Sequence, residues 1–285
     1  MKYLLADSGS TKTDWIEFWS GGERPPLRTA GTNPDIQRVE DIERSLREGF
    51  LENGYAGKPA RIFFYGASLS NQANCDRISQ VLDHLFPGVP SEVEHDLLAA
   101  ARATCLHEAG ITCILGTGSN SCLYDGSQIV SELGGHGYLF GDEGAGSDLG
   151  KTLLRNIFNR DLRPEVRAAV EAWTGLNLYQ IRREVHQSDR PNVYLAKFSR
   201  FISDHLADFP ELNDMVKGRF KAFFELTVLR YPGFEKLPVH FVGSVAAVFS
   251  AQLHQAMKEC GIQPGRHVPA PAQELVRFHR QALGI

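Results

Sequence analysis

Short apolar runs that end in glycine-rich, hydroxyl-rich loops recur along this chain. Asp14-Trp15-Ile16-Glu17-Phe18-Trp19 alternates polar and apolar positions, and a period of two predicts a strand. Strands are expected at 2–7, 14–19, 26–30, 61–65 and 92–95, with helices at 36–52, 72–84 and 97–107. Val39, Ile42, Leu46, Phe50 and Leu51 recur at helical spacing on one face. The second half opens with strands at 111–116, 120–125 and 128–132, a meander turned at Asp125-Gly126. Helical stretches follow at 144–158, 164–173, 177–186, 192–206 and 211–230, then at 245–259 and 271–283. Residues 61–65 and 239–242 are unbroken apolar runs, which suit parallel strands buried on both faces.

Two of the loops are phosphate-sized. In Asp7-Ser8-Gly9-Ser10-Thr11-Lys12-Thr13, the glycine and small serines allow a tight turn that brings backbone amides near an anion. Thr11 and Thr13 add hydroxyl donors. Asp7 would repel a phosphate alone, but makes sense with Mg²⁺ between them, the ion keeping most of its water. The same residue types also form ordinary turns. A strand follows this loop, which counts against the Walker and Rossmann motifs, where a helix must follow. The second loop, Gly116-Thr117-Gly118-Ser119-Asn120, repeats the strand–turn–strand arrangement. Two copies of one unit, and not a solenoid, explain the repetition. Between the loops, Asp96 ends the run Val93-Glu94-His95-Asp96. Loops of this kind with a carboxylate between them point to phosphoryl transfer.

Composition bounds the reading. A chain of 285 residues suits two domains; the boundary is placed at 110/111, with the second domain running to 285 and its last helix able to pack back on the first. A net charge of −4 offers nothing basic enough to grip a nucleic acid. No apolar run is long enough to span a bilayer, and only six residues precede Asp7, too few for a signal peptide. A cytoplasmic location is expected. Cys75, Cys105, Cys113, Cys122 and Cys260 form no close pair and read as free thiols. A homodimer is the default assembly.

Taken in order, Asp-x-Gly-x-Thr at 7–11, Asp96, and Gly-Thr-Gly-Ser-Asn at 116–120 resemble the actin-like ATPase and sugar-kinase superfamily. Gly134-Gly135-His136-Gly137-Tyr138-Leu139-Phe140-Gly141-Asp142-Glu143-Gly144 is similar to the N-acetylglucosamine kinase branch, as are Thr32-Asn33-Pro34 and Phe241-Val242-Gly243-Ser244-Val245-Ala246. That branch also holds the benzoyl-CoA-reductase-activator type of ATPase. The resemblance covers nearly the whole chain. It implies an α/β fold of two actin-like (ribonuclease H-like) domains, with mixed five-stranded sheets flanked by helices and the active site in the cleft between domains. It also implies use of ATP and Mg²⁺.

Residue roles follow from chemistry and resemblance together. Asp96 is the candidate general base, since a carboxylate in reach of a sugar hydroxyl can take its proton; as an Asp before an apolar helix it also suits an N-cap. Gly9, Ser10, Thr11, Lys12 and Gly116, Thr117, Gly118, Ser119, Asn120 are the candidate phosphate ligands, with Lys12 alternatively a solvated turn residue. Asp7 is the Mg²⁺ candidate, directly or through water. Gly243 and Ser244 sit where a strand meets a helix, which suits close approach of a base or ribose, or an ordinary turn capped by Ser244. By resemblance, Asn33 and Asp142 are sugar ligands, with Gly135 and His136 beside them. Related chains often carry Trp where this one has His136, and larger residues where it has Ser147 and Asp148, which leaves the particular sugar open. The expected reaction is phosphorylation of an amino sugar, N-acetylglucosamine first and at its 6-hydroxyl by resemblance. N-acetylmuramate or another hexosamine comes next. The alternative is an ATPase switch acting on a partner enzyme.

Overall fold

The alternation along the first strand sorts side chains between two cores. In the computed structural model, which describes residues 1–9 and 12–285, Leu4 and Ala6 of β1 (Tyr3–Ser8) join one buried cluster and Leu5 joins another. The chain forms two units, one of Met1–His107 with Ala270–Ile285, the other of Glu108–Pro269. The second unit therefore ends at Pro269, and the last helix belongs to the first.

In the first unit, β1 pairs antiparallel with β2 (Lys12–Trp19), and β2 carries both β3 (Gly22–Glu23) and β4 (Leu27–Ala30). Helix α1 (Val39–Glu52) then leads to β5 (Ile62–Gly66), α2 (Gln72–Leu85), β6 (Ser91–His95) and α3 (Asp96–Cys105). β5 lies parallel between β1 and β6. The sheet thus has six strands where five were expected, because the chain folds back at Ser20-Gly21 and adds the two-residue β3. Ile62 and Phe64 of β5 face α1 and α2, while Phe63 and Tyr65 face α3 and the C-terminal helix. With both faces covered, an unbroken apolar run is what β5 needs.

The second unit repeats this topology. β7 (Gly110–Leu115), β8 (Ser119–Tyr124) and β9 (Ile129–Gly134) form an antiparallel meander. After it come α4 (Gly137–Phe140), α5 (Gly146–Asn159), α6 (Pro164–Thr174), α7 (Leu178–Gln187), α8 (Pro191–Ala196), α9 (Phe198–Asp204) and α10 (Glu211–Leu226). β10 (Val239–Val242), α11 (Ser244–Val248), α12 (Ser250–Glu259) and β11 (Pro264–Val268) complete it, with β10 parallel to both β7 and β11. The five strands run β11-β10-β7-β8-β9, so β7 lies between β8 and β10 as β1 lies between β2 and β5. The expected helix at 192–206 is two helices, α8 and α9, and that at 245–259 breaks at Phe249. Gly150 lets α5 lie against α8; a Cβ there would sit 2.0 Å from the Leu195 carbonyl oxygen.

The C-terminal helix α13 (Ala272–Leu283) returns to the first unit. His279, buried to 3% exposure, stacks on Phe63 at 3.7 Å and bonds Tyr65 Oη at 2.9 Å. Arg102 donates to the same Tyr65 oxygen at 2.6 Å and to Glu92 at 2.7 Å.

Candidate active site

In the first unit, register brings the acidic candidates to one sheet edge. Asp7 and Ser8 of β1 pair with Tyr65 and Gly66 of β5, and Gly66 pairs with His95 of β6. Asp96 comes next. Two strand spacings separate β1 from β6, about 10 Å. Asp7 is partly buried, and its carboxyl is pushed up to about 6 by burial first, then by the charges of Asp14 and Asp96, against the pull of Lys12. A divalent cation would relieve that repulsion, so these residues fit one. No cluster of three or more acidic, His or Cys groups that could hold a metal occurs among the described residues.

Asp96 is exposed and is the first residue of α3; the N-cap position, extended at φ −81° and ψ 159°, belongs to His95. The carboxylate therefore sits inside the helix start, where the helix dipole favours negative charge.

The hairpin is closed by the Gly9 amide on the Lys12 carbonyl at 2.9 Å, and Gly9 is exposed. Ser10 and Thr11, both expected phosphate ligands, lie outside the described residues. Lys12 donates to Asp14 at 2.7 Å, and Arg28 donates to the same carboxylate at 2.7 Å. Burial would raise Asp14, but these two cations outweigh it and hold the carboxyl below its usual range. Thr13 differs from expectation. It is fully buried, and its hydroxyl is turned to Ala30 and Ser8, because the inward side of a central strand must satisfy its polar groups internally.

The loop bearing Asn33 is braced from α2. Asn33 Oδ1 accepts the Asp35 amide at 3.1 Å, an Asx turn that leaves its Nδ2 group uncommitted among the described residues. Gln37 Oε1 accepts the Asn33 amide at 2.6 Å. Arg77 donates to the Pro34 and Gln37 carbonyls, and Asn74 donates to Asp35 at 2.7 Å.

In the second unit, the phosphate loop and the 142–147 turn are bolted together. Gly146 and Ser147 amides donate to the Gly116 and Thr117 carbonyls at 2.8 and 3.1 Å. Ser119 donates through its amide to Asp142 Oδ1 at 3.1 Å and through its hydroxyl to the Glu143 carbonyl at 2.9 Å. Gly118 lies tight against Asp142, since a Cβ would sit 3.0 Å from Oδ2 and push the carboxylate aside. Thr117 is exposed at the loop tip. Asp142, expected only as a sugar ligand, is buried and holds this loop; burial raises its carboxyl, opposed by the Ser119 amide. Ser147 and Asp148 are buried in the first turn of α5. Asp148 accepts from Arg219 at 2.7 Å and from the Gly144 amide at 2.9 Å. Gly135 packs on Asn120, and His136 is exposed beside it.

Gly243 caps α11 and Ser244 is its first residue, so the cap expected of Ser244 falls one position earlier. Gly243 has φ 115°, and a Cβ there would meet the Leu115 carbonyl oxygen at 2.3 Å. A cavity of about 140 Å³ beside Ser244 is lined by Ser199, Arg200, Ser203, Val245 and Val248. A larger one, about 490 Å³, lies away from these loops among Phe50, Tyr55, Phe86 and Lys58.

No family model and no curated protein matches the chain. Solved structures do. A candidate N-acetylglucosamine kinase from Porphyromonas gingivalis is 36% identical, with a TM-score of 0.92 over 98% of this chain and 99% of its own. The chain belongs to the N-acetylglucosamine kinase-like branch of the actin-like sugar kinases. A candidate N-acetylglucosamine kinase from Chromobacterium violaceum shares the fold at 18% identity and a TM-score of 0.73, covering 97% of this chain and 98% of its own. So does a ROK hexokinase from Thermus thermophilus, at 16% identity and 0.50, covering 96% and 95%. The chain is thus an enzyme of the sugar-kinase class.

Within this sugar-kinase fold, several supports carry no motif in the sequence: Ser8 and Thr32 as buried hydroxyls, Asn74 and Arg77 behind the Asn33 loop, and the Asp148–Arg219 pair. The side chains of Arg77 and Arg219 reach carbonyls or a carboxylate more than 35 residues away, so no local pattern marks them. The helices of the described residues include none long and apolar enough to cross a membrane.

Proposed function

We propose that this chain transfers the γ-phosphate of ATP to a hydroxyl of an amino sugar, with N-acetylglucosamine the first-choice acceptor and its 6-hydroxyl the site. The observation that carries the reading is the placement of Asp7 and Asp96 at one edge of one sheet, close enough for Asp96 to raise Asp7. The relative from P. gingivalis, named for N-acetylglucosamine, supports the choice of sugar.

Asp96, exposed at the helix start, would accept the proton of the attacking hydroxyl as its bond to phosphorus forms. Proton removal of this kind contributes about 10²–10⁴-fold; positioning and charge neutralisation supply most of the rest, because the transition state is loose. Mg²⁺ arriving with the nucleotide would neutralise charge on the phosphates, and Asp7 is the residue fitted to hold it. The Thr117 and Gly118 amides of the second loop would face the phosphates, those of Gly9, Gly116 and Ser119 being bonded to Lys12, Gly118 and Asp142, and Gly243 would admit the nucleoside. Asn33, whose Nδ2 group has no partner among the described residues, and Asp142 would orient the sugar hydroxyls.

The test is ADP release from ATP and Mg²⁺ with a panel of N-acetylglucosamine, N-acetylmannosamine, N-acetylmuramate, glucosamine and glucose. The reading predicts the highest kcat/KM for N-acetylglucosamine. Equal ADP release with and without every sugar would point to an ATPase and contradict it.

A further inference from the structure

We infer that Ser8 is a positioning residue that couples the nucleotide hairpin to the sugar-side loop through a one-way chain of buried hydroxyls. The inference rests on the sugar-kinase reading above and deepens it.

Thr13 Oγ1 donates to the Ala30 carbonyl at 3.1 Å. Ser8 Oγ lies 2.7 Å from Thr13 Oγ1 and 2.9 Å from Thr32 Oγ1. A hydroxyl has one proton to give. With Thr13's proton on the carbonyl, Ser8 must donate to Thr13, and Thr32 must donate to Ser8. Every proton in the chain therefore points from Thr32 towards Ala30. Ser8, Thr13 and Thr32 are 2%, 0% and 1% exposed, so water cannot replace a lost partner.

The two ends of the chain adjoin the two ligand groups. Ser8 follows Asp7, the candidate metal carboxylate, and Thr32 precedes Asn33, the candidate sugar amide. The Asn33 loop is otherwise held from α2, by Asn74 and Arg77. The Ser8–Thr32 bond joins that loop to β1. If phosphate and its cation draw the hairpin to a new position, the hydroxyls stay satisfied only when Thr32 and Asn33 follow. Leaving a buried hydroxyl unpaired is penalised, so order at one loop favours order at the other, and each ligand should tighten binding of its companion.

The experiment is calorimetric titration of N-acetylglucosamine into the full chain, with and without Mg²⁺ and a non-hydrolysable ATP analogue. The ratio of the two sugar dissociation constants is the coupling factor. In the wild type it should be on the order of tenfold, and the reverse titration must return the same factor by linkage. Ser8→Ala should bring the ratio close to unity. Thr32→Val should do the same and carries the test if Ser8→Ala does not fold. Thr32→Ser keeps the hydroxyl and should keep the wild-type ratio. A wild-type ratio of one, or an unchanged ratio in folded Ser8→Ala and Thr32→Val, overturns the inference. A wild type that neither binds nor phosphorylates any amino sugar overturns the functional reading instead, and the coupling falls with it.

Discussion

The Ser119 amide donates to the Asp142 carboxylate at 3.1 Å, so a residue expected to touch the sugar also shapes the loop expected to hold phosphate. Asp142→Ala should therefore raise KM for ATP as well as for sugar. It should also cost about 1–3 kcal/mol of stability, since the Ser119 amide is left unpaired in a buried place. Asp142→Asn keeps an acceptor and should keep most of that stability. Steady-state kinetics with urea denaturation of both variants checks this; an Ala variant with an unchanged KM for ATP would contradict it.

Asp7 should trade stability for function. Its folded pKa, about 6, lies above the ordinary 3.8, so its contribution to stability is complete below pH 3.8 and is lost as pH rises through 6. Two pKa units correspond to about 3 kcal/mol. Asp7→Asn should be more stable than the wild type at pH 8 by up to that amount, with the gain vanishing near pH 4. Thermal melts across that range would show it. Mg²⁺ with nucleotide should raise the wild-type melting temperature and raise that of Asp7→Asn by less.

His279 makes the docking of α13 acid-sensitive. Burial first, then Arg102 and Arg61, push it down to about 3 from 6.5. Its buried ring is neutral beside Tyr65, so its contribution is complete above pH 6.5 and is lost as pH falls below that value. The loss should reach about 2 kcal/mol at pH 5. His279→Gln should flatten the stability profile between pH 5 and 7. Melting and limited proteolysis of the C-terminal segment across that window measure the effect.

Gly243 should tolerate no side chain. A Cβ would lie 2.3 Å from the Leu115 carbonyl oxygen, at a backbone φ of 115°. Gly243→Ala should cost about 3 kcal/mol or more through combined overpacking and backbone strain. Chemical denaturation measures it, and an unchanged midpoint would contradict the packing described.

Much of this fold was legible because its signals are periodic. The alternation at 14–19 and the unbroken run at 61–65 appear as β2 and β5. Of the apolar stripe, Val39, Ile42, Leu46 and Phe50 lie on the inner side of α1, whereas Leu51 is exposed. What stayed hidden has no period. β3 is two residues long, and β11, Pro264-Gly265-Arg266-His267-Val268, has a strand's position without a strand's composition. The breaks at Lys197 and Phe249 interrupt helices whose residue types could continue them. At the site, glycines and acids announced themselves as types, but their partners did not. Whether Asp142 faces solvent or holds Ser119 depends on the fold, and so does whether the Thr13 hydroxyl serves a ligand or the Ala30 carbonyl.

The most direct measurement of the central claim is turnover by Asp96→Asn. The variant keeps the shape of the residue and removes the carboxylate that would accept the sugar proton. Its kcat for N-acetylglucosamine phosphorylation should fall about 10²–10⁴-fold, with the dissociation constant of Mg²⁺–ATP close to that of the wild type. Turnover within a fewfold of the wild type would contradict it.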